Sequence, residues 1–119
     1  MDNKSWARRN IRANIIKALS HPSRLFIVEE LNKGEQCVCK LTEMIGADTS
    51  TVSRHLSVLK NAGIVMDDKR GNQVFYSLKA PCVLSFLDCI TRIIDVNIRE
   101  QVLICTSGEV PVASGERHE

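Results

Sequence analysis

Apolar positions recur every three to four residues over the first half of the chain, as they do on one buried face of a helix. Ile11, Ile15, Ile16 and Leu19 share such a face, which predicts a first helix over residues 10–19. The break that follows contains a proline, which ends helices and begins new ones. The N-terminal half is therefore predicted to be helical.

Two more helices are predicted before residue 47. Pro22 fits the first position of a second helix, and Gly34 is suited to end it. A third, short helix is predicted to start between Gln36 and Lys40 and to end before Gly46.

A fourth helix is predicted over Thr49–Asn61, because Asp48 is a good N-cap and Val52, Leu56 and Leu59 repeat at helical spacing. Only a short turn separates it from the third helix, and the pair therefore has the proportions of a helix-turn-helix.

The period then changes to two, which is typical of β-strands. Ile64–Met66 is predicted as a strand, Asp67–Asn72 as a polar turn and Gln73–Leu78 as the returning strand. A long last helix is predicted from Pro81 to about Gln101, with an apolar face wider than one small domain needs. That width predicts a partner helix.

The order of elements predicts a mainly α fold with a small β-hairpin, a winged helix-turn-helix. Residues 1–105 are expected to form one DNA-binding and dimerisation domain, and residues 106–119 a flexible C-terminal tail, because they lack a helical pattern.

Charge is unevenly distributed along a chain of 119 residues whose net charge is only +2. Residues 1–24 carry six Lys/Arg against one Asp, and residues 50–79 carry five against two. The basic segments are thus the N-terminal residues and the predicted fourth helix with the hairpin. This distribution suits nucleic-acid binding, although solvated surface charge explains the composition equally well.

Neither a membrane span nor a signal peptide is expected, because no apolar run is long enough and no apolar segment follows the basic N-terminus. We therefore expect a cytoplasmic protein. Five cysteines, an odd number without disulfide-framework spacing, are then expected as free thiols or metal ligands.

The start of the fourth helix carries short hydroxyls and one long cation, which can bind phosphates and base edges. Capping alone would need fewer polar groups. Lys60 is expected to meet phosphate, and the hairpin tip to touch the minor groove or the backbone, although simple solvation explains any one tip residue equally well. The predicted DNA-binding residues are Thr49, Ser50, Thr51, Ser53, Arg54, His55, Lys60, Lys69, Arg70, Asn72 and Gln73.

Two thiols, Cys37 and Cys39, precede this unit. Thiolates select thiophilic ions such as arsenite, antimonite, cadmium or lead. Residues i and i+2 of an α-helix point about 200° apart, whereas in extended backbone they point the same way. Capture of one ion by both thiols therefore requires a non-helical or frayed start to the third helix.

Three motifs resemble the arsenic-repressor (ArsR/SmtB) family of winged helix-turn-helix, metal-sensing bacterial repressors, and the resemblance covers roughly residues 10–100. They are His21-Pro22-Ser23-Arg24-Leu25, Cys37-Val38-Cys39-Lys40-Leu41, and the run from Ser50 to Val65. The resemblance implies a homodimer packed through the first and last helices. It also implies binding to an inverted-repeat operator in double-stranded DNA without effector, and release when a metal or metalloid binds.

Cys-Val-Cys at this position resembles the family's arsenic and antimony site and part of its cadmium/lead site, but the chain departs from both. The third cysteine of the arsenic version is replaced by Thr42, and residues 1–36 contain no cysteine. A third thiolate would have to be Cys82, Cys89 or Cys105, of which Cys105 is the most mobile candidate and Cys89 is expected in the core. The family's zinc site is absent, since no His lies between His55 and His118.

We therefore predict a repressor that trivalent arsenic or antimony releases from its operator by binding Cys37 and Cys39. Cadmium or lead sensing, and thiol redox or persulfide sensing, are the alternatives on the same fold. An enzyme is not expected, because the sequence shows no Ser-His-Asp set, no Gly-rich phosphate loop and no Cys-x-x-Cys motif in a βαβ context.

Overall fold

The computed structural model describes residues 2–106 of the chain, with side chains as far as residue 103. Its elements are α1 (Asn3–Ala18), α2 (Pro22–Asn32), β1 (Gln36–Cys37), α3 (Val38–Ile45), α4 (Thr49–Asn61), β2 (Val65–Arg70), β3 (Gln73–Leu78) and α5 (Val83–Thr106). This order confirms the predicted winged helix-turn-helix fold, with one strand added.

The added strand is β1, where the sequence predicted the loop or the first turn of the third helix. Gln36 pairs with Tyr76, and Cys37 pairs with Phe75, so the sheet has the order β1-β3-β2 and all neighbours are antiparallel. A two-residue strand has no periodicity of its own, and its partner lies about 40 residues later in the chain. The expected two-stranded hairpin is therefore a three-stranded sheet.

The hairpin is longer and its turn shorter than predicted. Pairing between β2 and β3 continues to Arg70 and Gln73, which leaves only Gly71 and Asn72 in the turn. Gly71 has a φ of +62°, the left-handed conformation that tight hairpin turns require. The polar residues from Asp67 onwards belong to an edge strand whose side chains are exposed, and this is why they resemble a loop in sequence.

α1 begins at Asn3 rather than at Asn10. Asp2 caps it, since its carboxylate accepts a hydrogen bond of 2.6 Å from the backbone N–H of Ser5. The first turns carry little apolar pattern apart from Trp6, which is half exposed, so periodicity could not find them.

The core lies where α2, α3 and α4 pack beside the sheet. The predicted inner stripe of α4 is confirmed, with Val52, Leu56 and Leu59 fully buried. Between α3 and α4, Gly46 adopts a left-handed φ of +79° and lets the chain turn sharply after a short helix. The other fully buried side chains of the core are Ile27, Val28, Leu41, Ile64 and Val65.

The chain divides into two compact units, the first ending at Leu84 and the second beginning at Ser85. The second unit consists, in its described part, of α5, which runs beyond its predicted end at Gln101 to Thr106. Cys89, expected in the core, is exposed on this helix. Large apolar side chains of α5 are also exposed, namely Phe86, Ile90, Ile93, Ile94, Val96, Ile98, Val102 and Leu103.

Candidate DNA-binding surface and thiol site

The first turn of α4 is organised by Asp48. As predicted, Asp48 is the N-cap residue, but its carboxylate accepts from the hydroxyls of Ser50 (2.5 Å) and Thr51 rather than from a backbone N–H. These hydroxyl contacts hold the pKa of Asp48 below its usual value. Two of the predicted reading hydroxyls are thus oriented by a carboxylate before any DNA is bound.

The outer side of α4 carries Thr49, Ser50 and Arg54 as exposed residues, with Thr51 and Ser53 half-buried. We call these five residues the α4 face. All five belong to the predicted DNA-binding set. By the helical period Ser50 and Arg54 lie opposite the buried stripe, whereas Thr49, Thr51 and Ser53 lie beside it.

His55 does not belong to the α4 face, contrary to the expectation that it is exposed. Its side chain is 8% exposed and its Nδ1 accepts a hydrogen bond of 3.1 Å from Nε of Arg24 on α2. Burial, followed by the nearby His21 and Arg24, lowers the pKa of His55. The reason is periodicity: position 55 follows the buried Val52 by three residues and falls on the inward side.

His21 completes this cluster and is the N-cap residue of α2. Its Nδ1 accepts from the backbone N–H of Ser23 at 3.1 Å, and its ring centroid lies 4.3 Å from that of His55. Arg24 also donates to the carbonyl of Ala18 at 3.4 Å. The cluster joins the start of α2 to the inner side of α4, a contact between residues 31 positions apart that sequence spacing could not reveal.

Lys60, predicted to meet phosphate, forms an ion pair of 2.9 Å with Asp67 of β2. The carboxylate raises the pKa of the Lys60 ammonium. Both side chains remain partly exposed, so a phosphate could replace Asp67 at small cost.

The hairpin residues predicted to touch DNA fall into two groups. Lys69, Asn72 and Gln73 are exposed at or beside the turn. Arg70 is held by carboxylates instead. Its Nη1 and Nη2 donate to Glu35 at 2.7 and 2.9 Å, and its Nε donates to Asp68 at 2.9 Å. Glu35 was not singled out in the sequence, because it lies 35 residues from its partner.

The thiols Cys37 and Cys39 lie at the junction of β1 and α3. Cys37 has extended backbone (φ −80°, ψ 157°) and is the N-cap of α3, where its Sγ accepts from the N–H of Lys40 at 3.3 Å. The sulfur atoms of Cys37 and Cys39 are in direct contact, placed as in a disulfide, with Cα atoms 5.4 Å apart. The non-helical backbone that capture of one ion by both thiols requires is thus present at Cys37, while Cys39 lies within α3, and the two sulfur atoms still meet.

The remaining cysteines lie elsewhere or outside the described side chains. Cys82 is exposed, and Cys89 is exposed on α5. The side chain of Cys105, the predicted third ligand, and the predicted tail beyond residue 106 lie outside the described residues. Within the described part of the chain, no group of three His, Cys, Asp or Glu side chains is placed to hold a metal ion.

None of the helices in the described part of the chain is long and apolar enough to span a membrane.

A short supporting helix, a tight turn, a polar second helix and an adjoining hairpin define a winged helix-turn-helix domain, a class in which the second helix reads the major groove. Comparison with known proteins gives the family. Residues 21–67 match the family described as "Bacterial regulatory protein, arsR family".

Named relatives agree with this match. The HTH-type transcriptional regulator NmtR of Mycobacterium tuberculosis is 42% identical over 76 residues, which are 64% of this chain and 63% of the relative. The cadmium resistance transcriptional regulatory protein CadC of Listeria innocua is 36% identical over 92 residues, 76% of this chain and 73% of the relative. The chain belongs to the arsR family of bacterial regulatory proteins.

One solved structure extends the comparison to three dimensions. The transcriptional repressor BigR from Xylella fastidiosa superposes with a TM-score of 0.60 at 38% identity, covering 76% of this chain and 96% of that chain. The match with NmtR, by contrast, spans less than two thirds of that relative's length.

Proposed function

We propose that the protein is a transcriptional repressor that binds operator DNA through the α4 face and leaves it when a thiophilic ion binds Cys37 and Cys39. The observation that carries the proposal is the convergence of the two sulfur atoms at Cys37, the N-cap residue of α3. This residue lies at the end of the strand that borders the hairpin sheet and at the start of the helix that supports α4. The similarity to BigR, which is described as a transcriptional repressor, supports repression rather than activation.

DNA recognition is assigned to the α4 face. Arg54 would make a bidentate contact with guanine, while the hydroxyls of Ser50 and Thr51 are oriented by Asp48 toward the helix start. Lys69, Asn72 and Gln73 would touch the flanking backbone. His55 is left out of this set because it is buried, and Lys60 and Arg70 would have to exchange a carboxylate for a phosphate.

A homodimer would place two α4 faces on the two halves of an inverted repeat. The exposed apolar side chains of α5, and Trp6, Ile11 and Ile16 of α1, are the surfaces that we assign to the dimer contact. Burying them between two copies removes apolar area that a lone chain leaves in water. A cytoplasmic location stays a prediction.

The chemistry of the donors fits a soft ion. Both sulfur donors come from a partly exposed segment, so an ion can reach them, and thiolates are the ligands that arsenic, antimony, cadmium and lead prefer. Trivalent arsenic or antimony is the inducer that we propose, with Cys105 as third ligand. Cadmium or lead is the alternative, and the relative described as a cadmium resistance regulator favours testing it.

Release follows from what Cys37 does in the described structure. A reductant must first supply two electrons and two protons that convert the Cys37–Cys39 contact into two thiols. An ion that then binds both sulfur atoms would draw the Cys37 sulfur away from the N–H of Lys40. The first turn of α3 then loses its cap, and α3 shifts against α4. A coupling of about 1–3 kcal/mol would weaken operator binding roughly 5- to 150-fold.

Sulfur contact also favours a second function, thiol redox sensing. In that reaction the two thiols lose two electrons and two protons and form the Cys37–Cys39 disulfide. An oxidant such as diamide takes up both and is reduced from a diazene to a hydrazine.

One titration separates these functions. Reduced protein is bound to a fluorescent duplex selected from a random library, and anisotropy is followed against arsenite, antimonite, cadmium, lead, zinc and diamide. We expect arsenite or antimonite to release the duplex, and Cys37→Ser and Cys39→Ser to remain bound. Cys89→Ser, an exposed thiol on α5, is the matched control and should be released normally.

Each contrary outcome is specific. Full release of Cys37→Ser or Cys39→Ser by arsenite would remove that thiol from the ligand set. Normal release of Cys105→Ser would remove the third ligand. Release by diamide with no response to any ion would replace metalloid sensing by redox sensing.

A further inference from the structure

The Arg70 guanidinium reaches across all three strands of the sheet. Arg70 is the last residue of β2, its guanidinium carbon lies 4.6 Å from the centroid of the Phe75 ring on β3, and its Nη atoms bind Glu35 just before β1. With Asp68 on Nε, its guanidinium group is bound through every nitrogen. We call Arg70, Glu35, Asp68 and Phe75 the Arg70 cluster.

The cluster lies directly beside the thiol pair. Glu35 is two residues before Cys37, and Cys37 pairs with Phe75, the residue whose ring lies beneath the guanidinium. The backbone that carries the first sulfur is therefore bound to the hairpin twice, once by strand pairing and once by the Glu35–Arg70 ion pair.

Strand pairing alone is a weak connection here, because β1 contributes only Gln36 and Cys37 to the sheet. A bidentate carboxylate–guanidinium contact adds both attraction and a fixed orientation. Its partners are about half exposed, so its contribution to overall stability is small, but it adds a side-chain link between the start of β1 and the end of β2.

We propose that Glu35 and Arg70 are positioning residues that transmit a change at Cys37 to the hairpin, so that ligand binding moves the β2–β3 hairpin as well as α3. Resting on the proposed function, this inference adds a second route for the same signal. When Cys37 gives up its cap, β1 shifts. Glu35 then moves Arg70, and the hairpin that carries Lys69, Asn72 and Gln73 leaves its position on the DNA flank.

The inference is tested with Glu35→Gln, which keeps the size of the side chain and removes its charge. Glu43→Gln is the matched control, since it removes the same charge on α3, where Glu43 forms an ion pair of 3.5 Å with Lys40. Operator affinity is measured for both variants and the natural protein, with and without arsenite, and in parallel with and without diamide.

The informative quantity is the release ratio, the dissociation constant with the thiol reagent divided by that without it. We expect Glu35→Gln to keep its reagent-free affinity within about twofold and to lose about fivefold of the release ratio, the size of a modest allosteric coupling. Glu43→Gln should keep both values. A Glu35→Gln release ratio equal to that of the natural protein would overturn the inference while leaving the proposed function intact.

Hydrogen exchange gives a second, reagent-free measurement. In Glu35→Gln, amides in peptides covering residues 36–37 and 73–78 should exchange about threefold faster or more, while in Glu43→Gln they should not change. Unchanged exchange in Glu35→Gln would overturn the inference by itself. If none of arsenite, antimonite, cadmium, lead and diamide releases the natural protein, the proposed function fails, and the exchange measurement still decides whether Glu35 and Arg70 hold β1 to the hairpin.

Discussion

Nε of Arg24 donates a 3.1 Å hydrogen bond to Nδ1 of His55, and this bond joins the start of α2 to the inner side of the candidate recognition helix. The bond requires a neutral imidazole, because a protonated His55 would carry a hydrogen on Nδ1 and could not accept. His55 therefore sets both the position of α4 and a dependence on pH.

Stability should fall with mild acid. Burial holds the pKa of His55 below its usual value, so the unfolded chain takes up the proton first as the pH falls through about 6.5. The contribution of neutral His55 to the free energy of unfolding should be fully present above that pH. It should decrease as the pH falls toward the depressed pKa and stay lost below it. We expect the urea midpoint to be lower at about pH 5.5 than at about pH 7.5.

His55→Gln is the control for this titration, because glutamine can accept from Arg24 and does not titrate. The carboxylates with lowered pKa values, Glu35 and Asp48, lose their contributions only below about pH 4.5, outside the window. An equal fall in the midpoint of His55→Gln would assign the pH dependence to other groups.

Arg54→Ala should weaken specific operator binding by about 1–3 kcal/mol, because an exposed arginine on the α4 face can make a bidentate base contact. Its melting temperature should not change, since the side chain is exposed. Anisotropy with the selected duplex and with a scrambled duplex measures the difference. Lys33→Ala removes an exposed cation at the end of α2 and should leave specificity unchanged. Unaltered discrimination in Arg54→Ala would remove this residue from the reading set.

The two thiols should differ in what their replacement does to stability. Cys37 caps α3 through its sulfur, so under reducing conditions Cys37→Ser should exceed Cys37→Ala in free energy of unfolding by about 0.5–2 kcal/mol. Cys39 lies within the helix, where alanine is favoured over serine by about half a kcal/mol, so its two replacements should show the opposite order. Chemical denaturation of the four variants measures both orders, and the same order at both positions would exclude the capping role.

Ile94→Glu should convert a dimer into monomers, because it places a charge in the middle of the exposed apolar face of α5. Sedimentation velocity at several protein concentrations measures the change. Arg99→Glu alters the charge on the opposite, polar side of the same helix and should leave the dimer intact. If Ile94→Glu dimerises with the same affinity as the natural protein, the dimer contact does not lie on this face of α5.

Local signals were enough to predict some elements. The bounds of α4 and β3 agree with the prediction, because an N-cap, a run of buried residues at helical spacing and a strand of alternating residues all belong to the segment itself. The extended backbone at Cys37 was also predictable, as the geometric condition for two thiols to face one ion.

What local signals missed depends on partners far along the chain. β1 exists because Gln36 meets Tyr76, and Arg70 is neutralised because the fold brings Glu35 to it. His55 was assigned to the wrong side of α4 because its polar character outweighed its position three residues after Val52. Residue type predicts chemistry well, but accessibility depends on the register of the helix.

The residues assigned to effector capture occupy positions 37 and 39, whereas those assigned to base reading begin at position 49, beyond the left-handed turn at Gly46. Substitutions in one segment thus replace no residue of the other. Under the proposed function, the choice of inducer and the choice of promoter rest on different residues, and we expect each to be altered by substitutions that replace no residue of the other.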